Sequence, residues 1–422
     1  CEINLQKIRS NICTQVAKNN KEIGFYGIQF LILLSHQCFL NEYIYQETDC
    51  ERESIKKIIN RINNGEESIL DFFILSSYIP LFKLLDIIPS LKNLSSSNNN
   101  LNKLIKLQIK EPIKESKLSK SLKRLGIISN PISIKVQSQY EENPFPRWRY
   151  ANTYKEEKVS AIPLINAEIK PNSISSSELS KKLKILIAGC GTGHQILAAQ
   201  RYENSQITAI DLSSSSLGFA KRKLNENEIK NVELIHMDIL DLSLLKNKFD
   251  IVECMGVLHH MSDPMKGLQS LLDVSKKNTF IKLALYSQIA NRDVIKACEY
   301  IKENNLSPQI EDIRLFRELA ISGNISQIAE ATKRGSFYTL SQCRDIFFHY
   351  KAHRYNIRQL EDILKTFNLN FMGFLLHSNL KSLYKKYFPE DKSLTNLKNW
   401  ALFEEKFQDT FRGKYQFWVS RN

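Results

Sequence analysis

At 422 residues, with 42% hydrophobic and 25% charged residues, the chain is long enough for two or three globular domains with sizeable cores. A net charge of +14 raises the question of nucleic acid, but the lysines are dispersed, without arginine clusters or interleaved aromatics. The richness in Lys, Ile and Asn is the bias of an A/T-rich genome, and this argues against specific nucleic-acid binding.

The chain begins with Cys rather than Met, so the true start is missing and no targeting peptide can be judged. Residues 1 to about 90 read as helical: Ile3, Leu5, Ile8, Ile12 and Val16 recur three or four apart. The longest apolar stretch, Ile23 to Leu40, is interrupted by Gln29, Ser35, His36 and Gln37 and reads as a buried helix rather than a membrane span. Residues 92–131 are polar and poorly patterned, as expected of a linker with some helix. The expected division is a helical domain with linker over 1–130 and a second domain over 131–422.

Eight cysteines (1, 13, 38, 50, 190, 254, 298, 343) form no C-x-x-C pair and have no His at zinc spacing, so no metal site is expected. Cys190 and Cys254 read as buried reduced thiols, which suits a cytoplasmic protein.

QSQYEENPFPRWRY (137–150) sets Trp148, Phe145 and two tyrosines beside Arg147, Arg149 and two glutamates. Its two prolines force extended backbone between them and rule out a helix. Two readings stand open: a flap over a ligand pocket, or a packing clasp that ties the linker to a sheet. SISSSELSKK (173–182) reads as a loop and helix cap.

The next stretch organises the chain. Ile185 to Ala188 is an apolar run too short for a helix, and it enters G-C-G-T-G at Gly189, Gly191 and Gly193. A helix follows through Ile196 to Ala198. A second strand, 206–210, ends in Asp211, about 20 residues past the glycines, where an acid accepts hydrogen bonds from ribose hydroxyls. Together these make a nucleoside-binding βαβ unit. The dinucleotide fingerprint wants another glycine at position 194, which is His.

The stretch instead resembles motif I of the class I S-adenosylmethionine (SAM) methyltransferases, hydrophobic residues followed by GCGTG. The resemblance continues for about a hundred residues through VELIHMDILD, FDIVECMGVLHHMSDP and TFIKLALYS. It departs at Ile187, where relatives often carry an acid near the methionine end. The 137–150 stretch is similar to one that precedes the same core in bacterial methyltransferase-domain proteins of unassigned substrate, some with a helical N-terminal region. This favours the flap.

The resemblance implies an α/β fold: a Rossmann-like seven-stranded methyltransferase sheet, with an N-terminal all-helical domain and a helical cap insertion. The core would run over 183–287, the cap over 288–355, and the closing strands over 356–422, the last of them antiparallel. The implied cofactor is SAM, held by Gly189, Cys190, Gly191, Thr192, Gly193, Asp211, Leu212, Asp238, Ile239 and Met255. His259 and His260 lie in the loop after the fourth strand, and either is a candidate general base.

Tyr286 ends the fifth strand. Farther on, SFYTLSQCRDIFFHYKAHRY (336–355) concentrates Tyr338, Arg344, Asp345, His349, His353 and Arg354. At helical spacing Asp345, His349 and His353 share a face, readable as a metal face, a polar seam or an acceptor contact. Candidate acceptor residues are Trp148, Tyr286, Tyr338, His349, His353 and Arg354, with the acceptor expected among the 256–261 loop, the flap and the cap.

The expected activity is methyl transfer to a small molecule or protein, with the N-terminal helices able to recruit a protein partner. An RNA methyltransferase and a catalytically silent SAM-binding protein are the competing readings.

Overall fold

The computed structural model describes residues 2–18, 24–154, 156, 158–175 and 179–421. Cys1, Ile23 at the head of the apolar stretch, and Ser176 to Glu178 within the expected helix cap lie outside these. Two compact units form, one from Cys1–Lys117 and Ala297–Phe348, the other from Leu118–Lys296 and His349–Asn422. Among the described residues no helix is long and apolar enough to cross a membrane.

The larger unit is built on one sheet. Its strands are β1 (Lys123–Arg124), β2 (Leu183–Ala188), β3 (Ser205–Asp211), β4 (Val232–His236), β5 (Phe249–Met255), β6 (Ser275–Ser287), β7 (Arg354–Tyr355), β8 (Leu369–Phe374) and β9 (Lys414–Arg421). They lie in the order β1-β4-β3-β2-β5-β6-β9-β8, with β7 beside the end of β6. Among the described strands β9 alone runs against the common direction, antiparallel to both β6 and β8. The seven long strands are those expected, and β1 and β7 add two residues each.

The apolar run in β2 has a simple cause. Leu186 and Ala188 pack into the core on one face of the sheet, Ile185 and Ile187 into the core on the other. A parallel strand covered on both sides cannot alternate polar with apolar residues. Each fully buried Ile or Leu here contributes on the order of 2 kcal/mol.

The smaller unit is helical, with Glu2–Ala17, Phe25–Leu40, Asp49–Asn63 and Ile69–Leu75 as its first helices. The expected linker is more ordered than its composition suggests. Asn98 caps a helix from Asn99, and helical backbone continues through Lys120. Leu101, Leu104, Ile105, Leu107 and Ile109 are buried along it.

The segment Ala297–Phe348, expected to belong with the C-terminal domain, packs instead with residues 1–117. The reason is ionic as well as apolar. Arg317 donates to both carboxylate oxygens of Glu2 at 2.8 and 2.9 Å, and Arg314 reaches Glu47 at 2.5 Å and the Tyr43 carbonyl at 2.6 Å.

Candidate active site

The turn after β2 needs its glycines. Gly189, Gly191 and Gly193 all have positive φ, at +76°, +51° and +88°, a region costly for residues with a Cβ. The amides of Gly189 and Cys190 both donate to the Ile210 carbonyl, at 2.9 and 3.0 Å, and so pin the turn to the end of β3. Burial drives the Cys190 thiol well above its ordinary pKa and that of Cys254 up to about 12, so neither is a thiolate nucleophile.

Asp211 ends β3 and binds the loop directly. One carboxylate oxygen accepts the Gly191 amide at 2.7 Å, the other the Ser213 amide at 2.9 Å. Burial raises this carboxyl to about 6, although the Ser213 and Gly191 amides pull it back; the nearby Glu141 charge adds to the rise. Such a group gains from further donors, and ribose hydroxyls are donors of that kind.

Asp238 is buried after β4 and accepts the Leu240 amide at 3.0 Å, capping a turn that begins with Ile239. The carbonyl of Leu212 lies 2.7 Å from Nε2 of His236, and that of Met255 lies 3.5 Å from Gln195. The cofactor residues expected from sequence thus surround the carboxyl ends of β2, β3, β4 and β5.

The 137–150 stretch is helical over its first part, contrary to the expectation that its prolines rule out a helix. Asn130 caps and Pro131 opens a helix that ends at Glu142, just before Asn143-Pro144. From there the chain crosses the glycine loop. The Phe145 carbonyl accepts the Thr192 amide at 3.4 Å, and the Pro146 carbonyl accepts the Thr192 hydroxyl.

Glu141, just ahead of that crossing, accepts the amides of Ser214 and Ser215 at 2.5 and 3.0 Å. A carboxylate there satisfies orphan N–H groups at the start of the helix Ser214–Glu226. Trp148 faces the helices that follow β2 and β3. Its ring meets Phe219 edge-on at 5.6 Å and His194 at 6.0 Å, with the Lys223 ammonium 4.9 Å away. These contacts anchor the end of the stretch on the two helices.

A second group gathers at the carboxyl ends of β5 and β6. His259 lies 3.8 Å from the Tyr286 ring and 4.4 Å from His260, which stacks on His349 at 3.6 Å. His260 donates from Nδ1 to the Lys351 carbonyl at 2.9 Å. His353 holds the same loop, with its amide 2.8 Å from the His259 carbonyl and its Nε2 3.1 Å from that of Met261.

Burial pushes His259 and His260 well below their ordinary pKa, helped by the charges around them, so both rings are neutral. Both ring nitrogens of His259 are buried, and the Ala284 backbone works against the downward shift. Arg354 joins the group by pairing with Tyr286 through β7.

Two sequence expectations change. The helix Leu340–Phe347 ends before His349, so Asp345, His349 and His353 do not share one helical face. Extended backbone takes over because the chain turns to pair with the 259 loop and β6. Tyr338 belongs to the helical unit, where its hydroxyl donates to the Thr332 carbonyl at 3.0 Å.

Glu141 and Lys414 are residues that sequence reasoning did not assign. Glu141 was visible only as one of two glutamates in the flap. Lys414 carried no local signal, since its place depends on the antiparallel register of β9 against β6.

The family model of a methyltransferase domain matches residues 179–345. An uncharacterized protein of Synechococcus is 25% identical over 200 residues, covering 45% of this chain and 48% of the relative. An uncharacterized protein of Rickettsia prowazekii is 32% identical over 139 residues, covering 33% of this chain and 52% of the relative. The chain thus spans about half the length of these curated relatives. Among solved structures, PKMT2 from Rickettsia typhi has 19% sequence identity and a TM-score of 0.48, covering 65% of this chain and 54% of that one.

Proposed function

We propose that the chain, whose residues 179–345 match the family model of a methyltransferase domain, is a class I S-adenosylmethionine-dependent methyltransferase that transfers a methyl group from SAM to a small molecule or protein side chain. The observation that carries the reading is the bond from the Gly191 amide to the Asp211 carboxylate, which joins the glycine turn to the acid that would hold the ribose.

SAM, when bound, supplies an electrophilic methyl group on a positively charged sulfur. The residues present fit it. The Asp211 carboxylate would hold the ribose hydroxyls and Asp238 the adenine, and the glycine turn would take the methionine end. The flap from Glu141 to Pro146 would exclude water by lying over that turn, with Trp148 as its anchor. His259, His260, His349, His353, Tyr286 and Arg354 would form the acceptor side.

Methyl transfer to a good nucleophile needs chiefly alignment, which suits an acceptor side built from stacked rings. The buried thiols of Cys190 and Cys254 suit a reducing, cytoplasmic setting. A protein partner would be recruited through the N-terminal helices.

Calorimetry tests the reading: the purified chain titrated with SAM and separately with NAD, beside Asp211→Ala. Micromolar SAM binding that the variant loses is the expected result. Binding of NAD, or of neither ligand, would sink it.

A further inference from the structure

We infer that the side-chain amides of Gln139 and Asn143 bind the ammonium and carboxylate at the methionine end of the cofactor, an assignment that rests on the proposed SAM site. The glycine turn keeps its own donors for the protein. The amides of Gly189 and Cys190 go to the Ile210 carbonyl, that of Gly191 to Asp211, and that of Gly193 to the Cys190 carbonyl at 2.9 Å. The amide and hydroxyl of Thr192 go to the Phe145 and Pro146 carbonyls. Ile187, two residues before the turn, brings no polar side-chain atom. An amino-acid zwitterion at this turn therefore needs partners from another element.

The helix Pro131–Glu142 offers them. Its buried residues are Ser133, Val136 and Gln139, a row at helical spacing. Asn143 extends the row one turn past Gln139, with its backbone amide on the Gln139 carbonyl at 3.2 Å. The chain around these two residues is tied to the site. The Tyr140 carbonyl accepts the hydroxyl of Ser213, two residues past Asp211, at 3.0 Å. Phe145, two residues past Asn143, covers Gly191 and Thr192 with its carbonyl. Lys135, one turn before Gln139, reaches the Tyr350 ring at 5.6 Å, beside His349. The row thus runs from the histidine group toward the glycine turn.

Gln139 is only 6% exposed, and neither Nε2 nor Oε1 has a hydrogen-bond partner among the described residues. Asn143 Nδ2 is likewise buried without one. Polar atoms withdrawn from water in this way are costly, and a bound ligand is one of the few things that completes them. The set matches an α-amino acid. Nε2 and Nδ2 donate, as a carboxylate requires, and Oε1 accepts, as an ammonium requires. Both side chains are uncharged, which suits a zwitterion of zero net charge.

Calorimetry on the full chain with S-adenosylhomocysteine and with 5′-methylthioadenosine tests the assignment. The two ligands share adenosine and a thioether sulfur, and only the first carries the amino-acid end. The wild type should bind S-adenosylhomocysteine at least about tenfold more tightly. Gln139→Met and Asn143→Leu keep the shape and remove the amides. Each should weaken S-adenosylhomocysteine about tenfold while methylthioadenosine stays within about twofold, which also shows that the variants fold. Equal affinities of the two ligands for the wild type would overturn the inference without any variant. Equal losses for both ligands would put the amides against the nucleoside instead, and unchanged affinities would put them against neither; each result overturns it. A wild-type chain that binds neither ligand would sink the SAM reading itself.

Discussion

The carbonyl oxygen of Phe145 stands 2.6 Å from the point where a Cβ on Gly191 would lie. The flap and the glycine turn therefore meet backbone to backbone, with no side chain between them. Gly191→Ala should displace the flap and strain a residue at φ +51°, at a cost of about 1–2 kcal/mol from the backbone alone. Faster tryptic cleavage at Arg147 and Arg149 than in the wild type is the expected outcome. Unchanged cleavage would mean that the flap is held without this contact.

Glu141 supplies a carboxylate to the first amides of the Ser214–Glu226 helix from 73 and 74 residues away in sequence. Glu141→Gln keeps the shape but removes the charge, and should lower stability by about 1 kcal/mol. Urea unfolding reads the difference directly.

Asp211 makes cofactor affinity depend on pH. With its carboxyl raised to about 6 by burial, it is ionised at pH 7–8 and takes up a proton below about 6. Ribose hydroxyls donate to the ionised form, so SAM affinity should hold from pH 8 down to about 6. Below that it should fall, by up to about tenfold per pH unit. The same raised value stabilises the unliganded fold as pH falls from about 6 toward the ordinary carboxylate range. Calorimetric titrations at several pH values check the first trend, and Asp211→Asn should flatten it.

His259 and His260 act in the opposite direction. Each is held well below its ordinary value, so the unfolded chain binds protons near pH 6.5 that the fold refuses. Their neutral burial costs nothing above that pH, and below it stability is lost at about 1.4 kcal/mol per pH unit for each ring. Urea melts at pH 7, 6 and 5 should show this slope, and His259→Phe should make it shallower. Parallel slopes in the two proteins would mean that His259 titrates normally.

What could be read from sequence was local. Leu183 to Asp211 is a strand, a turn, a helix and a second strand within thirty residues, and each carries its own chemical reason. The helical order of 99–120 was hidden because Asn and Lys on the exposed face outnumber the buried leucines and isoleucines beneath them. Lys414 beside Gly256 and Glu141 beneath Ser214 depend on strand register and helix placement over many residues, and composition carries no trace of either. The Asp345, His349 and His353 spacing suggested a helix that strand pairing overrides.

The helical unit is assembled from two stretches, and the second begins about 180 residues after the first ends. During synthesis, Glu2 and Glu47 emerge long before Arg317 and Arg314. At about 5–20 residues per second, those partners arrive some tens of seconds later at the slower rate. Meanwhile the first helices must wait with an open flank while the strands of the sheet are made. The order of manufacture is thus the reverse of what a bead-on-a-string layout would give: the part begun first is finished only after most of the sheet has left the ribosome.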